Sequence, residues 1–417
     1  MFQRPFIFAV LLLLVSDSAF AWGWKDAVSQ AVDRNPSLLA QQEAAQVFQL
    51  RYENAKTYRY PTLRLVGQYV EYQDYTENFR YRAYLGPEVQ WLLYQGGKVT
   101  SGINQAAALN TQAAMNTRVL SITTISKLRL AFASALYAKN FLDLAHRIEN
   151  QRQENVRFTK IRYESGLEYK WVYLTSNAKW KQASLNTLEA EMNKKTALVD
   201  LENLLGPLPI QSVEELNAQD FYDSESEYDL NLITQQLQNN PKYLLQQSKI
   251  EESKATVDFT QADRYPQLAL QAGLRGMSTE TNELFPAWYA GVRLSMPLFA
   301  FNRYRRNVDA ANRTLNQRTF DLEQIRLNLK NELEKTYQTY VIGKQQVDVS
   351  RLNVEATEDR AKVVSHQYRS GLTTFLDWEN SQDGWVNAEV EHLNHIRDYQ
   401  TARAKFEEAM GTELSKQ

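Results

Sequence analysis

Two hydrophobic periodicities divide the chain. In residues 61–75, Leu63, Leu65, Gly67 and Tyr69 alternate with Thr62, Arg64 and Gln68; in 81–94, Tyr81, Ala83, Leu85, Val89 and Trp91 alternate with Arg82, Glu88 and Gln90. The pattern recurs as Leu268, Leu270, Ala272 and Leu274 against Gln267, Gln271 and Arg275, and as Trp288, Ala290, Val292, Leu294 and Met296 against Tyr289, Arg293 and Ser295. Period two with unlike faces predicts four strands. The other pattern fills stretches without proline: none falls between Pro87 and Pro207 or after Pro297. These are rich in Ala, Leu, Lys, Glu, Gln and Asn, which favour helix. Ile103 to Glu164 predicts one continuous helix of roughly 90 Å at ~1.5 Å per residue, and Asn302 to Arg369 its twin. Ile125, Leu128, Phe132, Ala135 and Leu142 mark a 3/4-spaced coiled-coil seam, with Leu333, Tyr337, Tyr340 and Val347 in the twin. Lys139 interrupts it. Each long helix stops at Ser-Gly-Leu, where Gly166 and Gly371 suit a left-handed cap before a helix that returns.

The halves match at a constant offset of 205. Asn35-Pro36 matches Asn240-Pro241, Tyr60-Pro61 matches Tyr265-Pro266, Ser165-Gly166-Leu167 matches Ser370-Gly371-Leu372, and Leu205-Gly206 matches Met410-Gly411. An ordered set in one register indicates an internal duplication. The expected organisation is a leader at 1–21, a first repeat at 22–206, a connector at 207–229 and a second repeat at 230–417. The β-hairpins span 61–94 and 266–299, and the antiparallel helical hairpins 98–205 and 302–410. The connector is acidic and loop-like, with a short helix expected after Ser212.

Composition narrows the class. The 417 residues carry a net charge of −2, which gives no bulk attraction to nucleic acid. Absence of cysteine removes disulfides, thiolate metal sites and a Cys nucleophile. Arg4, the apolar run Phe6 to Val15 and Ala19-Phe20-Ala21 read as a secretory signal, with the mature chain starting at Trp22. No later segment approaches a spanning apolar helix, so a membrane crossing is expected as strands of a closed barrel. The alternative is a half-buried sheet of a soluble protein, but four strands alone leave open edges. A lipid-embedded sheet then needs either an oligomer that closes the barrel or a covering partner. Leu65, Val89, Trp91, Leu270, Trp288 and Val292 are expected to face lipid, with Trp91 and Trp288 in an aromatic girdle. Tyr69, Tyr72, Tyr75, Tyr81 and Tyr84 are expected in loop packing. Arg303, Arg305, Arg306 and Arg313 fit either anionic headgroups or a solvated helix face.

No catalytic constellation is present. His392 and His395 lie at i, i+3 on a predicted helix, but beyond Glu391 no partner completes a metal site. No nucleophile-elbow pattern occurs. The expectation is no enzyme activity, no metal and no cofactor.

The ordered, duplicated set resembles the TolC family of outer-membrane efflux proteins across essentially the whole mature chain. It is carried by Asn-Pro, then Tyr-Pro-x-Leu, then the turns Leu92-Leu-Tyr-Gln-Gly-Gly97 and Met296-Pro-Leu-Phe-Ala-Phe-Asn302, then the long helix with its glycine tip. The resemblance implies a mainly α protein with a transmembrane β-barrel. It implies a homotrimer whose chains contribute four strands each to a 12-stranded barrel, with helical hairpins forming a periplasmic tunnel. It further implies a passive exit duct in the outer membrane of a Gram-negative bacterium, for efflux or type I secretion, fed by an inner-membrane transporter through a periplasmic adaptor. The tips at Gly166, Leu167, Gly371 and Leu372 would dock the adaptor. Well-known members carry an Asp six residues after each tip glycine; here those positions are Val172 and Asp377, and a further acid is replaced by Asn380. An entrance ring would therefore rest on Asp377, with Asn380 beside it and Glu379 as another source of charge. The rival reading, a periplasmic coiled-coil adaptor or structural protein, normally has one hairpin rather than two matched halves.

Overall fold

The computed structural model describes residues 22–73, 79–208, 213–218, 221, 228–235, 237–278 and 284–411. The leader at 1–21, Tyr75 and the side chains of Tyr72 and Tyr81 lie outside the described residues. The first repeat runs α1 (Trp24–Arg34), α2 (Pro36–Thr57), β1 (Thr62–Gln73), β2 (Phe79–Tyr94), α3 (Lys98–Glu164) and α4 (Lys170–Leu205). After a short α5 (Leu230–Gln235), the second runs α6 (Pro241–Ala262), β3 (Gln267–Ser278), β4 (Leu284–Ser295), α7 (Arg303–Arg369) and α8 (Phe375–Met410). The long helices α3 and α7 have 67 residues each, and the return helices α4 and α8 have 36 each. The last strand stops at Ser295, short of the expected 299; Met296 to Ala300 is irregular.

The chain divides into two compact units, each drawing on both repeats: Met1–Asn35, Ile125–Glu227 and Tyr340–Ala404 in one; Pro36–Thr124, Tyr228–Thr339 and Lys405–Gln417 in the other. The first unit is helical. Its core includes Trp22, Trp24, Phe132 and Phe221, with Trp24 edge-on to Phe132 at 5.7 Å and to Phe221 at 5.4 Å. The Arg129 guanidinium lies 4.7 Å from the centre of the Trp24 ring, so its charge meets a π-face inside this core. Part of the connector belongs here. Val213 and Leu216 are buried, and only one 3-10 turn, Val213–Glu215, forms after Ser212. The Leu216 carbonyl accepts from the Lys139 amine at 3.4 Å, which gives the seam-breaking lysine a local partner. The seam residues Ile125, Leu128, Phe132, Ala135 and Leu142 are all buried.

One expectation is corrected. Helix α3 contains an 18-residue window apolar enough by length and composition to cross a membrane, and 56% of that window is buried. A helix with apolar residues on several sides is what a core position between other helices demands.

The second unit carries the sheet, ordered β1-β2-β3-β4 and antiparallel throughout, so β1 and β4 are its edges. A register shift between Leu92 and Tyr94 brings Tyr94 opposite Leu268. The turn into α3 places Gly96 and Gly97 at φ +61° and +87°. Their equivalents, Phe301 and Asn302, hold φ 46° and 63°, so the second repeat keeps the left-handed turn without glycine.

The Asn-Pro motif has a physical role that repeats at the same offset. Asn35 donates its side-chain amide to the Leu204 carbonyl at 2.7 Å in the first unit, and Asn240 donates to the Ala409 carbonyl at 3.1 Å in the second. Both asparagines are buried, and each satisfies a carbonyl that the end of a return helix leaves unpaired. The glycines that follow, Gly206 and Gly411, hold φ 72° and 73°. They differ in space: a Cβ on Gly411 would lie 2.7 Å from Asn240 Nδ2, while one on Gly206 would meet nothing within 4 Å. Gly206 also has ψ −163°, a region that only glycine visits readily, so Gly206→Ala should cost about 1–3 kcal/mol from backbone strain alone, and Gly411→Ala distinctly more. Thermal unfolding of the detergent-solubilised variants checks this; equal losses would show that backbone conformation, not crowding, governs both sites.

Candidate functional site: the two faces of the sheet and the helical tips

Residues directly opposite in an antiparallel pair share a face, so the register assigns the faces. Leu63 pairs with Val89 and Val89 with Ala272; Trp91 pairs with Leu270 and Leu270 with Val292; Leu65 pairs with Pro87, and Leu274 with Trp288. All six residues expected to face lipid thus share one face. Leu65, Trp91, Trp288 and Val292 are exposed there, while Val89 and Leu270 are half-buried. The Trp91 indole N–H donates to the Arg59 carbonyl at 2.9 Å, holding the ring at the strand's end.

The opposite face is built around a row that sequence reasoning missed. Arg64, Glu88, Gly273 and Tyr289 lie opposite one another across all four strands. Arg64 pairs with the buried Glu88 carboxylate at 2.6 Å, and the Tyr289 hydroxyl donates to the other oxygen of Glu88. The reach from β4 to β2 passes over Gly273, where a Cβ would meet the Tyr289 ring at 2.8 Å. The missed signal was a glycine on the polar face of a strand, the usual mark of a close approach.

At the tips, Gly166 and Gly371 both hold φ +73° with open space around them. The Leu167 and Leu372 amides donate back to the carbonyls of Arg162 and Gln367, each at 2.8 Å, so the chain reverses identically. Both leucine side chains are exposed, at 66% and 78%. Tyr169, Trp171, Leu174 and Leu376 are exposed as well. Their spacing carried no separate signal, because near a reversal apolar residues also serve as core.

The two tips are not equivalent underneath. Val172 is fully buried with Tyr368, Phe375 and Trp378, and the Tyr368 ring stacks on Trp378 at 4.6 Å. The Tyr368 hydroxyl donates to Glu168 at 2.8 Å; burial first, then that carboxylate, push the phenol well above its ordinary pKa. Asp377, the repeat equivalent of Val172, is exposed. It accepts from the hydroxyls of Thr374 at 2.7 Å and Thr373 at 3.3 Å, and its amide donates to Thr374 at 3.2 Å. The Thr374 hydroxyl bond, chiefly, lowers the Asp377 pKa. Asp377 is thus part of the cap of α8, and Asn380, one turn on, is exposed. Glu379 lies 3.6 Å from Lys179, which also binds Asp383, so its charge is engaged within the chain.

His392 and His395 have local partners: His392 Nδ1 lies 2.9 Å from the Ser350 hydroxyl, and His395 lies 3.6 Å from Glu391. Among the described residues, no group of three or more His, Asp or Glu is placed to hold a metal.

A four-stranded sheet with one apolar and one polar face, carried by a chain with two long helical hairpins, defines a class of mainly α proteins. The chain belongs to the outer membrane efflux protein family, whose model matches residues 27–207 and 232–412. It is a channel protein of an outer-membrane efflux or secretion system, and the family consists of passive ducts rather than enzymes. Over 425 residues it is 22% identical to the alkaline protease secretion protein AprF of Pseudomonas aeruginosa, covering 96% of this chain and 86% of that protein. Over 416 residues it is 22% identical to the proteases secretion protein PrtF of Dickeya chrysanthemi, covering 93% and 88%. The fold superimposes with a TM-score of 0.84 on the crystal structure of a membrane protein from Pseudomonas aeruginosa, at 16% identity over 94% of this chain and 91% of that one.

The Asp377 cap has a defined pH dependence. Because the folded pKa is lowered, its contribution is complete above the ordinary carboxylate range and is lost as pH falls through the depressed value. Asp377→Ala should raise amide exchange in residues 375–378 at neutral pH, and wild type should approach the same exchange in acid once intrinsic rates are corrected. Unchanged protection in the variant would show that Thr374 caps the helix alone.

Proposed function

We propose that three copies of this chain form one 12-stranded barrel in the outer membrane of a Gram-negative bacterium. Their helical hairpins then continue as a periplasmic tunnel from an inner-membrane transporter and its adaptor. The observation that carries this reading is the sheet: one face apolar and exposed, the other crossed by the Arg64–Glu88–Tyr289 row, and both edge strands open. Unpaired strand edges are not tolerated in hydrocarbon, so the edge of one copy must meet the edge of another. The apolar face then meets lipid, and the polar row lines the water-filled interior. Two relatives at 22% identity are named for protease secretion, which favours a secreted protein as cargo. The leader at 1–21 directs export.

The tips are the proposed adaptor contact. Leu167, Tyr169 and Leu372 are strongly exposed, and an apolar apex has little intramolecular reason to stay in water. Asp377 and Asn380 are proposed to line the periplasmic entrance, with the aspartate also holding the start of α8.

Arginine at Leu65, Val89, Leu270 or Val292 should impair insertion, because a charge facing lipid near the midplane costs roughly 2–4 kcal/mol. Arginine at Gln68, Gln90 or Ser295 should assemble and alter conductance. Heat-modifiable migration and native mass in detergent report assembly; a stable folded monomer, or equal tolerance of the two sets, sinks the barrel.

Replacing Leu167 and Leu372 together with Asp should leave an inserted trimer that no longer retains adaptor or supports export. Adaptor pull-down and an export assay read this directly, and normal binding by the double variant removes the tips as the docking surface.

A further inference from the structure

The five arginines of the strands all fall on one face of the sheet. Facing alternates residue by residue along a strand. Arg80 and Arg82 stand eight and six residues from Glu88, Arg275 two from Gly273 and Arg293 four from Tyr289, so each position shares the face of the Arg64–Glu88–Tyr289 row. The register also sets them at five different levels along the strands. Arg293 is opposite Ala269, Arg64 opposite Glu88, Arg275 opposite Ala287, Arg82 opposite Val70 and Arg80 opposite Tyr72.

Little negative charge answers them. The strands contain no lysine, and their acids are Glu71 and Glu88. Glu71 stands seven residues from Arg64, an odd separation that puts it on the opposite face. Glu88 is already held by Arg64 and the Tyr289 hydroxyl. Asp74, Glu77, Glu280 and Glu283 belong to the connections between strands rather than to the sheet. The one acid of the polar face thus answers one arginine of the five. The whole chain carries a net charge of −2, so this positive excess is local. Arginines that served only to tie strands together would come with acids opposite them.

We propose that the barrel wall is a stack of arginine rings that favours anions over cations, and that the cargo it passes is a polypeptide of net negative charge. This rests on the trimeric barrel proposed above and adds the charge of its interior. A rotation axis through three copies turns each arginine into a ring of three, and the five levels turn the rings into a stack. Fixed positive charge around a water-filled pore concentrates anions and repels cations. The Glu88 ring offsets the Arg64 ring alone, so the other four levels set the sign of the potential along the wall. Arg293, exposed at the end of the stack where β4 leaves the sheet, meets a cargo arriving from the helices before the other rings do.

The test exploits a sequence without cysteine, in which an introduced thiol is the sole target of a thiol reagent. The full chain carrying R293C is reconstituted in a planar lipid bilayer. Its reversal potential in a potassium chloride gradient is measured before and after modification. Wild type should prefer chloride. R293C should shift toward potassium; a cationic thiosulfonate should shift it back, and an anionic one should shift it further. R275C gives the same reading should R293C fail to assemble. Poly-glutamate added on the extracellular side should block the wild-type current at a lower concentration than poly-lysine. Native mass in detergent is measured in parallel. A conducting trimer that prefers potassium, or whose thiol variants neither reagent shifts, overturns the arginine rings and leaves the barrel standing. Block by poly-lysine at an equal or lower concentration overturns the acidic cargo. A monomer by mass overturns the barrel and the rings together.

Discussion

The constraint on which the rest of the molecule depends is the backbone. Strand amides and carbonyls at a sheet edge must find partners, and hydrocarbon supplies none. In the membrane setting proposed above, a sheet of four strands with edges at β1 and β4 cannot resolve this alone. The faces follow from the same logic: side chains meeting lipid must be apolar, and charge must gather on the other side. Glu88 illustrates the second half. It is buried, so its carboxylate requires partners, and it has them in Arg64 and Tyr289 from the first and last strands. The row ties β1, β2 and β4 together by side chains, passing over Gly273 of β3, as well as by the ladder.

Duplication supplies the rest, but the two copies of each motif are not used alike. The Asn-Pro cap is repeated almost bond for bond, since every return helix ends with unpaired carbonyls whatever surrounds it. The position six residues after the tip glycine diverges completely: Val172 is core and Asp377 is a cap in water. A motif that answers to its own helix is preserved; a position that answers to its neighbours changes with them.

Much of this was legible in the sequence because the signals are long and redundant. A 67-residue helix free of proline, matched by an equal twin, leaves little room for error, and four alternating segments fix strand facing once their register is known. What escaped detection depends on contacts across elements. Gly273 reads as an ordinary strand glycine until Tyr289 lies over it, and the part of Asp377 in a helix cap shows only once the helix start at Phe375 places it beside Thr374. Phe221, within an acidic connector, gave no hint that it would pack with Trp24 and Phe132. The apolar window of α3 was undervalued for the related reason that a helix covered on several sides loses its one-faced pattern.

The sheet's strand count has a further consequence. With every neighbour antiparallel and an even number of strands, β1 and β4 run in opposite directions. In the barrel proposed above, an edge-to-edge junction between copies is then antiparallel as well, and the alternation continues around the circle without a mismatch. Any number of copies satisfies that rule equally, so the strand directions of such a barrel are indifferent to how many chains close it.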